Sequence, residues 1–204
     1  MRGVRAVAQQ GVRARQREQT RLALVRQSRR LFSERGYAAV GLAELVEAAG
    51  VTKGALYHHF PGGKTDLFRA VLAEAQEEIG RRVAAAADAE DDPWAQLTAG
   101  CRDFLVAATA PEIQRIVLVD GPAVLGWSEW RAMDEAASAR HLTEALTSLV
   151  EAGIIAAQPV QPLVHLLSGA MNEAALWLAS SSRPEDLTDT VAALQRMLQA
   201  LRAD

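Results

Sequence analysis

The segment from Ala49 to Phe60 carries the side chains with the clearest chemistry in this chain. Four of its positions stand at i, i+1, i+4 and i+5, which on a helix places them in one outward-facing stripe. These are Lys53, Gly54, Tyr57 and His58. Lysine, tyrosine and histidine can donate hydrogen bonds to base edges or phosphates, and glycine lets a backbone approach closely. The stripe predicts a helix that contacts the major groove of DNA.

The opposite face of this segment is apolar and indicates how the stripe is held. Leu56 and Phe60 are four residues apart and share an inner face with Val51. The preceding helix has its own apolar face at i, i+3, i+4 and i+7, and Gly50 ends it in a tight turn. The pattern predicts a helix-turn-helix over about residues 42–61. The residues alone leave open an ordinary helical hairpin with a solvated stripe.

The rest of the sequence predicts helices. Ala, Leu and Arg dominate, and aromatic residues make up 5% of the chain, which favours helices over strands. We expect an all-α fold, with a three-helix helix-turn-helix domain followed by a helical C-terminal domain. The predicted helices run over Thr20–Arg35, 42–49, Thr52–Phe60, Lys64–Ala87, Pro93–Ala108, Pro111–Val119, Ser128–Glu151, Pro162–Ser180 and Pro184–Arg202.

Charge divides the chain into two parts. Residues 1–64 hold 12 Lys and Arg against 4 Asp and Glu, whereas residues 65–204 hold 10 against 21. A basic part indicates a polyanionic partner, although chance clustering on solvated helix faces is the alternative. Residues 1–19 contain Arg2, Arg5, Arg13, Arg15 and Arg17 and are predicted to be a flexible arm that adds phosphate contacts or is a disordered terminus.

Cysteine usage and hydropathy point to a soluble protein. The single cysteine, Cys101, excludes an intrachain disulfide. The sequence shows neither an apolar run near its start nor a stretch approaching the roughly 20 apolar residues of a membrane span. We therefore expect a cytoplasmic protein.

The order and spacing of the motif residues extend beyond the two short helices. Gly36-Tyr37 is followed by Leu45, by the run from Ala48 to Phe60, and then by Lys64 and Leu67. This arrangement resembles the DNA-binding domain of the TetR family of transcriptional regulators over about residues 18–70. The resemblance implies residues 20–66 as the DNA-binding domain and residues 67–204 as a ligand-binding and dimerisation domain.

The resemblance also implies a homodimer whose recognition helices enter successive major grooves of a palindromic operator. Lys53, Gly54, Ala55 and His58 would face bases. The residues that would face phosphates are Thr52, Tyr57, His59 and Lys64. The expected function is a repressor that an unknown small-molecule ligand releases from DNA. The resemblance implies neither a cofactor nor a metal.

Three positions depart from the family pattern. Gly41 stands where Thr or Ser usually caps the second helix, and Ala43 replaces a longer side chain that some relatives use to read bases. Three residues, Pro61-Gly62-Gly63, separate Phe60 from Lys64, where two are more usual. This extra residue puts the inferred phosphate contact of Lys64 in question.

The C-terminal half offers candidate ligand contacts of lower specificity. The large apolar side chains could line a ligand cavity or fill a core. The one carboxylate could contact a polar group of the ligand or cap a turn. The candidates are Phe104, Asp120, Trp127, Trp130 and Met171, with Met133 and Trp177 as further apolar groups. His141 and Glu144, at i and i+3, have a spacing that can chelate metal, but without a second pair we assign no metal site.

The last two predicted helices are expected to form the dimer interface. Gly169, Ala170, Ala174 and Ala175 are small enough for close helix approach. The last helix repeats apolar residues at a 3–4 spacing, at Leu187, Val191, Leu194, Leu198 and Leu201.

Two other classes of function stay open. A helical enzyme would need a Ser or Cys nucleophile beside a base, a metal cluster or a nucleotide loop, none of which the sequence shows. An architectural DNA-binding protein would bind without sequence preference and would have a filled C-terminal core.

Overall fold

The computed structural model describes residues 2–203, without the side chains of residues 2–10, 12, 13 and 138. Over this range the chain forms eleven α-helices and no named strand, so the predicted all-α fold is confirmed. The helices are α1 (Arg2–Arg35), α2 (Leu42–Ala48), α3 (Lys53–His59), α4 (Lys64–Asp88), α5 (Pro93–Ala108), α6 (Pro111–Gln114), α7 (Gly121–Leu125), α8 (Trp127–Ala136), α9 (Ser138–Glu151), α10 (Val160–Ser180) and α11 (Asp186–Gln199). A π-helical segment, Arg115–Asp120, lies between α6 and α7. In residues 2–203, no helix has the length and apolar character that a bilayer span requires.

The first compact unit, Met1–Leu72, contains the two short helices and is organised by an aromatic cluster. Phe32 packs edge-on against Phe68, with ring centroids 5.5 Å apart, and Tyr37 packs against Phe68 at 5.1 Å. Phe32 and Phe68 are fully buried. Edge-to-face pairs of this kind add about 0.5–1.5 kcal/mol beyond the burial of their area. The cluster therefore ties the end of α1 to the first turns of α4.

The second compact unit, Ala73–Asp204, has its own apolar core. Helices α5, α9 and α10 pack against one another at its centre. Leu105, Leu146 and Ala175 are fully buried there. A buried leucine contributes about 1.5–3 kcal/mol relative to an exposed one, so each of these helices is held by its apolar face.

The first helix begins much earlier than the sequence predicts. We expected a flexible arm over residues 1–19 and a helix from about Thr20, whereas α1 starts at Arg2. Arg, Ala and Gln dominate the segment and favour a helix, while an interior glycine costs only about 1 kcal/mol. The side chains of Arg2, Arg5 and Arg13 lie outside the described residues, so their phosphate contacts stay a prediction.

The long helix predicted over Ser128–Glu151 is wrong, because the chain breaks at Ala137, where φ is −103° and ψ is −95°. The local sequence contains no helix-breaking residue. The buried carboxylate of Asp134 instead accepts a hydrogen bond from Arg131 at 2.8 Å and is approached by Ser168 of α10 at 3.5 Å. These contacts, with a second bond from Arg131 to Ser168 at 2.9 Å, tie α8 to α10 just before the break.

The predicted end of the sixth helix at Asp120-Gly121-Pro122 is also wrong. The chain continues through the π-helical segment directly into α7. A π turn leaves carbonyls free, and that of Val117 accepts the indole N–H of Trp130 at 2.7 Å. A Cβ on Gly121 would lie only 2.7 Å from the Trp130 ring. Gly121 is therefore required for this close packing and does not stop a helix.

Candidate nucleic-acid interface and ligand cavities

Helix α3 is capped and anchored by the residues that the sequence predicts. Thr52 has extended backbone angles, and its hydroxyl oxygen accepts a hydrogen bond from the backbone N–H of Ala55 at 3.2 Å. Leu56 is fully buried and Phe60 is 5% exposed. An N-cap threonine contributes about 1 kcal/mol to helix stability. The cap and the buried face together fix which side of α3 is turned outward.

The outward side of α3 presents the predicted stripe to solvent. Lys53, Gly54, Tyr57 and His58 are all exposed. The Lys53 ammonium lies 6.0 Å from the centroid of the Tyr57 ring. A Cβ on Gly54 would meet only the Thr52 hydroxyl at 3.9 Å, so the backbone here is open to an approaching surface. Gly41 precedes α2 without a side-chain cap, as the sequence predicts, and Ala43 is exposed.

Arginine from α1 joins this surface, which the motif did not reveal. The Arg17 guanidinium lies 2.7 Å from Nε2 of His58, across 41 residues of sequence. The nearby His59 is partly buried. Burial lowers its pKa, and the neighbouring His58, Arg17 and Arg21 lower it further. Arg17 lies in the segment that the sequence predicts to be a flexible arm. Its contact with His58 could have been predicted only if α1 had been expected to extend through residue 17.

The three-residue connection before α4 forms a closed turn. Gly63 has a φ of +66°, and its N–H donates to the carbonyl of Phe60 at 2.8 Å. The N–H of Gly62 donates to the carboxylate of Asp66, and this bond is the largest cause of the lowered pKa of that carboxyl. Lys64 begins α4, with its ammonium 3.9 Å from the centroid of the Tyr37 ring. The phosphate contact of Lys64 stays a prediction.

A cavity of about 280 Å³ lies in the second unit, and we call it the α5 cavity. Its floor contains buried apolar groups, among them Leu97, Cys101, Phe104 and Met171. Burial raises the pKa of the Cys101 thiol to about 12, so this side chain is a neutral apolar contact. Of the five candidate ligand contacts, Phe104 and Met171 line this cavity.

Comparison with known proteins follows the same division of the chain. A family model described as "Bacterial regulatory proteins, tetR family" matches residues 24–71. A model described as "Tetracyclin repressor-like, C-terminal domain" matches residues 94–201, which is more than half of the chain. The protein belongs to the TetR family. Its members are transcriptional regulators and not enzymes, which confirms the resemblance drawn from the α3 motif.

A solved TetR-family regulator from Pectobacterium atrosepticum is 37% identical and superposes with a TM-score of 0.76. The match covers 93% of this chain and 97% of that structure. Curated relatives match the DNA-binding end. LmrA of Bacillus subtilis is 41% identical over 64 residues, and TtgR of Pseudomonas putida is 37% identical over 75. These matches span 31% and 37% of this chain, and 34% and 35% of the relatives.

A second cavity of this TetR-family protein, of about 570 Å³, lies between α4, α8 and α9, and we call it the α8 cavity. Its walls include Gln76 of α4 and Met133 of α8. Ala84 and His141 line both this cavity and the α5 cavity, so the two adjoin. The ring nitrogen Nδ1 of His141 lies 3.7 Å from the carboxylate oxygen Oε2 of Glu144.

The remaining candidate ligand contacts lie elsewhere. Trp127 and Trp130 line a third cavity, of about 430 Å³, beside α10. Trp127 is 66% exposed, whereas Trp130 is buried and bonded to Val117. Asp120 ends the π-helical segment and lines none of these three cavities. The structure thus separates the five candidates into three groups.

The outer side of α10 carries an exposed apolar stripe. Leu166 is 71% exposed and Trp177 is 51% exposed, with the exposed Gly169 and Ala170 between them. Ala175, by contrast, is fully buried within its own unit. On α11, Leu194 and Leu198 are buried, Leu187, Val191 and Leu201 are partly exposed, and Met197 is exposed. Three residues predicted for the dimer interface, Ala175, Leu194 and Leu198, are therefore buried within the single chain and are not available to a partner.

Proposed function

We propose that this protein is a homodimeric repressor that a small-molecule ligand releases from a palindromic operator. The observation that carries the proposal is the exposed stripe of donors on α3, set on a capped and buried helix within a TetR-family DNA-binding domain. Such a helix places its outward residues at base edges when it enters the major groove.

The proposed contacts keep the division drawn from the motif and add one residue. Lys53, Gly54, Ala55 and His58 would face bases, and Arg17 would join them through its contact with His58. Thr52, Tyr57, His59 and Lys64 would face phosphates. The Thr52 hydroxyl can serve both purposes, because its oxygen accepts from Ala55 while its proton can be donated to a phosphate.

Regulation is proposed to act through α4. Ala84 and Asp88 of this helix line the α5 cavity, whereas Lys64 and Leu67 belong to the first unit. A ligand that binds better to one position of α4 would change the spacing of the two recognition helices from the 34–36 Å of successive major grooves. The cavities support a ligand-responsive regulator over an architectural protein, for which a filled core is expected.

Selection of random duplex DNA by the purified protein, followed by sequencing, tests the proposed function. We expect a palindromic consensus with two half-sites, and binding that weakens steeply as salt concentration rises. Enrichment of no sequence above a salt-sensitive background would refute the proposed operator recognition.

Two lysine substitutions should separate base reading from phosphate contact. We expect Lys53→Ala to reduce affinity for the selected site by about 1–3 kcal/mol and to relax preference at one position in each half-site. Lys64→Ala should weaken binding to selected and random DNA alike and should reduce the salt dependence. Fluorescence anisotropy on both duplexes at several salt concentrations measures the affinity of each variant and its salt dependence. Equal loss on both duplexes for Lys53→Ala would contradict its base contact.

Gly54→Ala should move stability and DNA binding in opposite directions. An added methyl group meets only Thr52 at 3.9 Å in the free protein, and alanine is favoured over glycine in a helix by about 0.8–1.0 kcal/mol. The variant should therefore unfold at a higher temperature. The same methyl group would obstruct close approach to DNA, so operator affinity should fall. Gly11→Ala is the matched control, because a Cβ on this glycine of α1 would meet nothing within 4 Å. A Gly54→Ala protein with unchanged operator affinity would exclude Gly54 from the interface.

A further inference from the structure

The side chain of Gln76 is buried without a partner among the described residues. Gln76 is 2% exposed, and its amide Nε2 makes no hydrogen bond there. A buried amide without a partner costs free energy, so such groups usually have a partner or mark a site of function. Gln76 lines the α8 cavity. Nε2 itself is covered in the free protein, so a rotation of the Gln76 amide would bring it to a ligand oxygen in this cavity, which could then accept the hydrogen bond that the amide lacks.

The neighbouring walls suit an elongated molecule. Ala84 stands eight residues after Gln76 on α4, about 12 Å farther along the helix, and opens onto both cavities. Beyond it lies the apolar floor with Phe104 and Met171. The missing side chain of Gly80 leaves the His141 ring uncovered, since a Cβ there would lie 3.7 Å from Nε2. A molecule of about this length could place an oxygen at Gln76 and an apolar body in the floor.

The charges around both cavities disfavour an anion. Arg81 and Arg140, which line the α8 cavity, are within 4 Å of Glu77 and Glu144 respectively. The charged residues of the α5 cavity are Asp88 and Glu144, both acidic. His141, which lies between the cavities, faces Glu144. A carboxylate would have to compete with Glu77 and Glu144 for these arginines and would lose hydration in doing so, whereas a neutral carbonyl or hydroxyl oxygen needs only a donor.

We propose that the adjoining α5 and α8 cavities bind a neutral, elongated, largely apolar molecule whose carbonyl or hydroxyl oxygen accepts a hydrogen bond from Gln76. This proposal names the class of ligand for the proposed repressor, and the regulatory role of the ligand rests on that proposed function. Binding itself does not depend on DNA. Because Gln76 belongs to α4, the same contact would hold the helix through which regulation is proposed to act.

Three probes of one shape and different charge test the ligand class. They are 5-phenylpentan-2-one, the isosteric carboxylate 4-phenylbutanoate and the ammonium 5-phenylpentan-2-amine. Calorimetric titration of the full-length protein should show binding of the ketone at least about 10-fold tighter than of the carboxylate. A carboxylate that binds as tightly as the ketone would overturn the proposal, and so would the absence of ketone binding up to its solubility limit.

Gln76→Leu tests the amide with nearly the same volume. We expect ketone affinity to fall about 5- to 10-fold, with a melting temperature that is unchanged or higher because no protein partner is lost. Gln114→Leu is the matched control. Gln114 is also buried but lines neither cavity, and its amide already donates to the carbonyl of Ala175 at 2.7 Å. This variant should lose stability and keep its ketone affinity. Unchanged ketone binding by Gln76→Leu would refute the role of Gln76.

Release from DNA is measured separately, so that the two proposals fail in different ways. Saturating 5-phenylpentan-2-one is added to the protein on its selected operator. Gln76-dependent binding without release would sustain the ligand class and count against regulation through α4. Release that is insensitive to Gln76→Leu would overturn the proposed contact while sustaining a ligand-responsive repressor.

Discussion

Leu166→Glu should convert the protein to a monomer and reduce operator affinity by about 10²- to 10⁴-fold. Leu166 is 71% exposed, so the substitution should cost the folded protomer little. In the proposed dimer the carboxylate would be buried without a partner and would lie on the same helix face as Glu173. The loss of affinity follows because each half-site would have to be bound without the effective concentration that linkage supplies.

Sedimentation equilibrium at micromolar protein and anisotropy on the selected operator measure the two effects. Val106→Glu is the matched control, because Val106 is an exposed apolar residue of α5, outside the proposed interface. It should remain dimeric and bind DNA as before. A Leu166→Glu protein that stays dimeric would place the interface elsewhere, and Trp177→Glu then tests the far end of the same stripe.

The DNA-binding end could be predicted in detail because its determinants are local. The Thr52 cap, the buried Leu56 and the outward stripe all follow from spacings of one to five residues. The contact between Arg17 and His58 could not be predicted in this way, because it joins residues 41 positions apart through the unexpected length of α1. A helix-turn-helix is thus readable wherever the cap, turn and periodicity agree.

The C-terminal unit was predictable in type but not in detail. The break at Ala137 depends on the buried Asp134 and its contact with α10, and the π-helical segment depends on the Trp130 indole. Apolar periodicity shows that a residue faces inward, yet it does not distinguish a core from the wall of a cavity. Leu97 and Leu105 of α5 look alike in sequence and are both buried, but Leu97 lines the α5 cavity and Leu105 lines none of the three cavities. Gln76 gave no signal in the sequence, because its significance lies in a missing partner.

Leu56→Ala should destabilise the DNA-binding unit by about 3 kcal/mol and leave the second unit unchanged. Leu56 is fully buried, and Leu→Ala changes at such positions cost about 2–5 kcal/mol through lost burial and the remaining cavity. A unit of this size has a total stability of about 5–15 kcal/mol at most, so a large share would be lost. Operator binding should weaken accordingly, because the stripe on α3 depends on this anchor.

The positions of the aromatic residues allow the two units to be followed separately. Both tyrosines lie in residues 1–72, and all four tryptophans lie in residues 73–204. In urea, tryptophan fluorescence should report an unchanged midpoint for Leu56→Ala, while circular dichroism shows an additional transition at lower denaturant. Leu22→Ala, at a 53% exposed position of α1, should behave like the parent protein. If both probes moved together for Leu56→Ala, the units would unfold as one cooperative body, and the loss of DNA binding would no longer report on α3 alone.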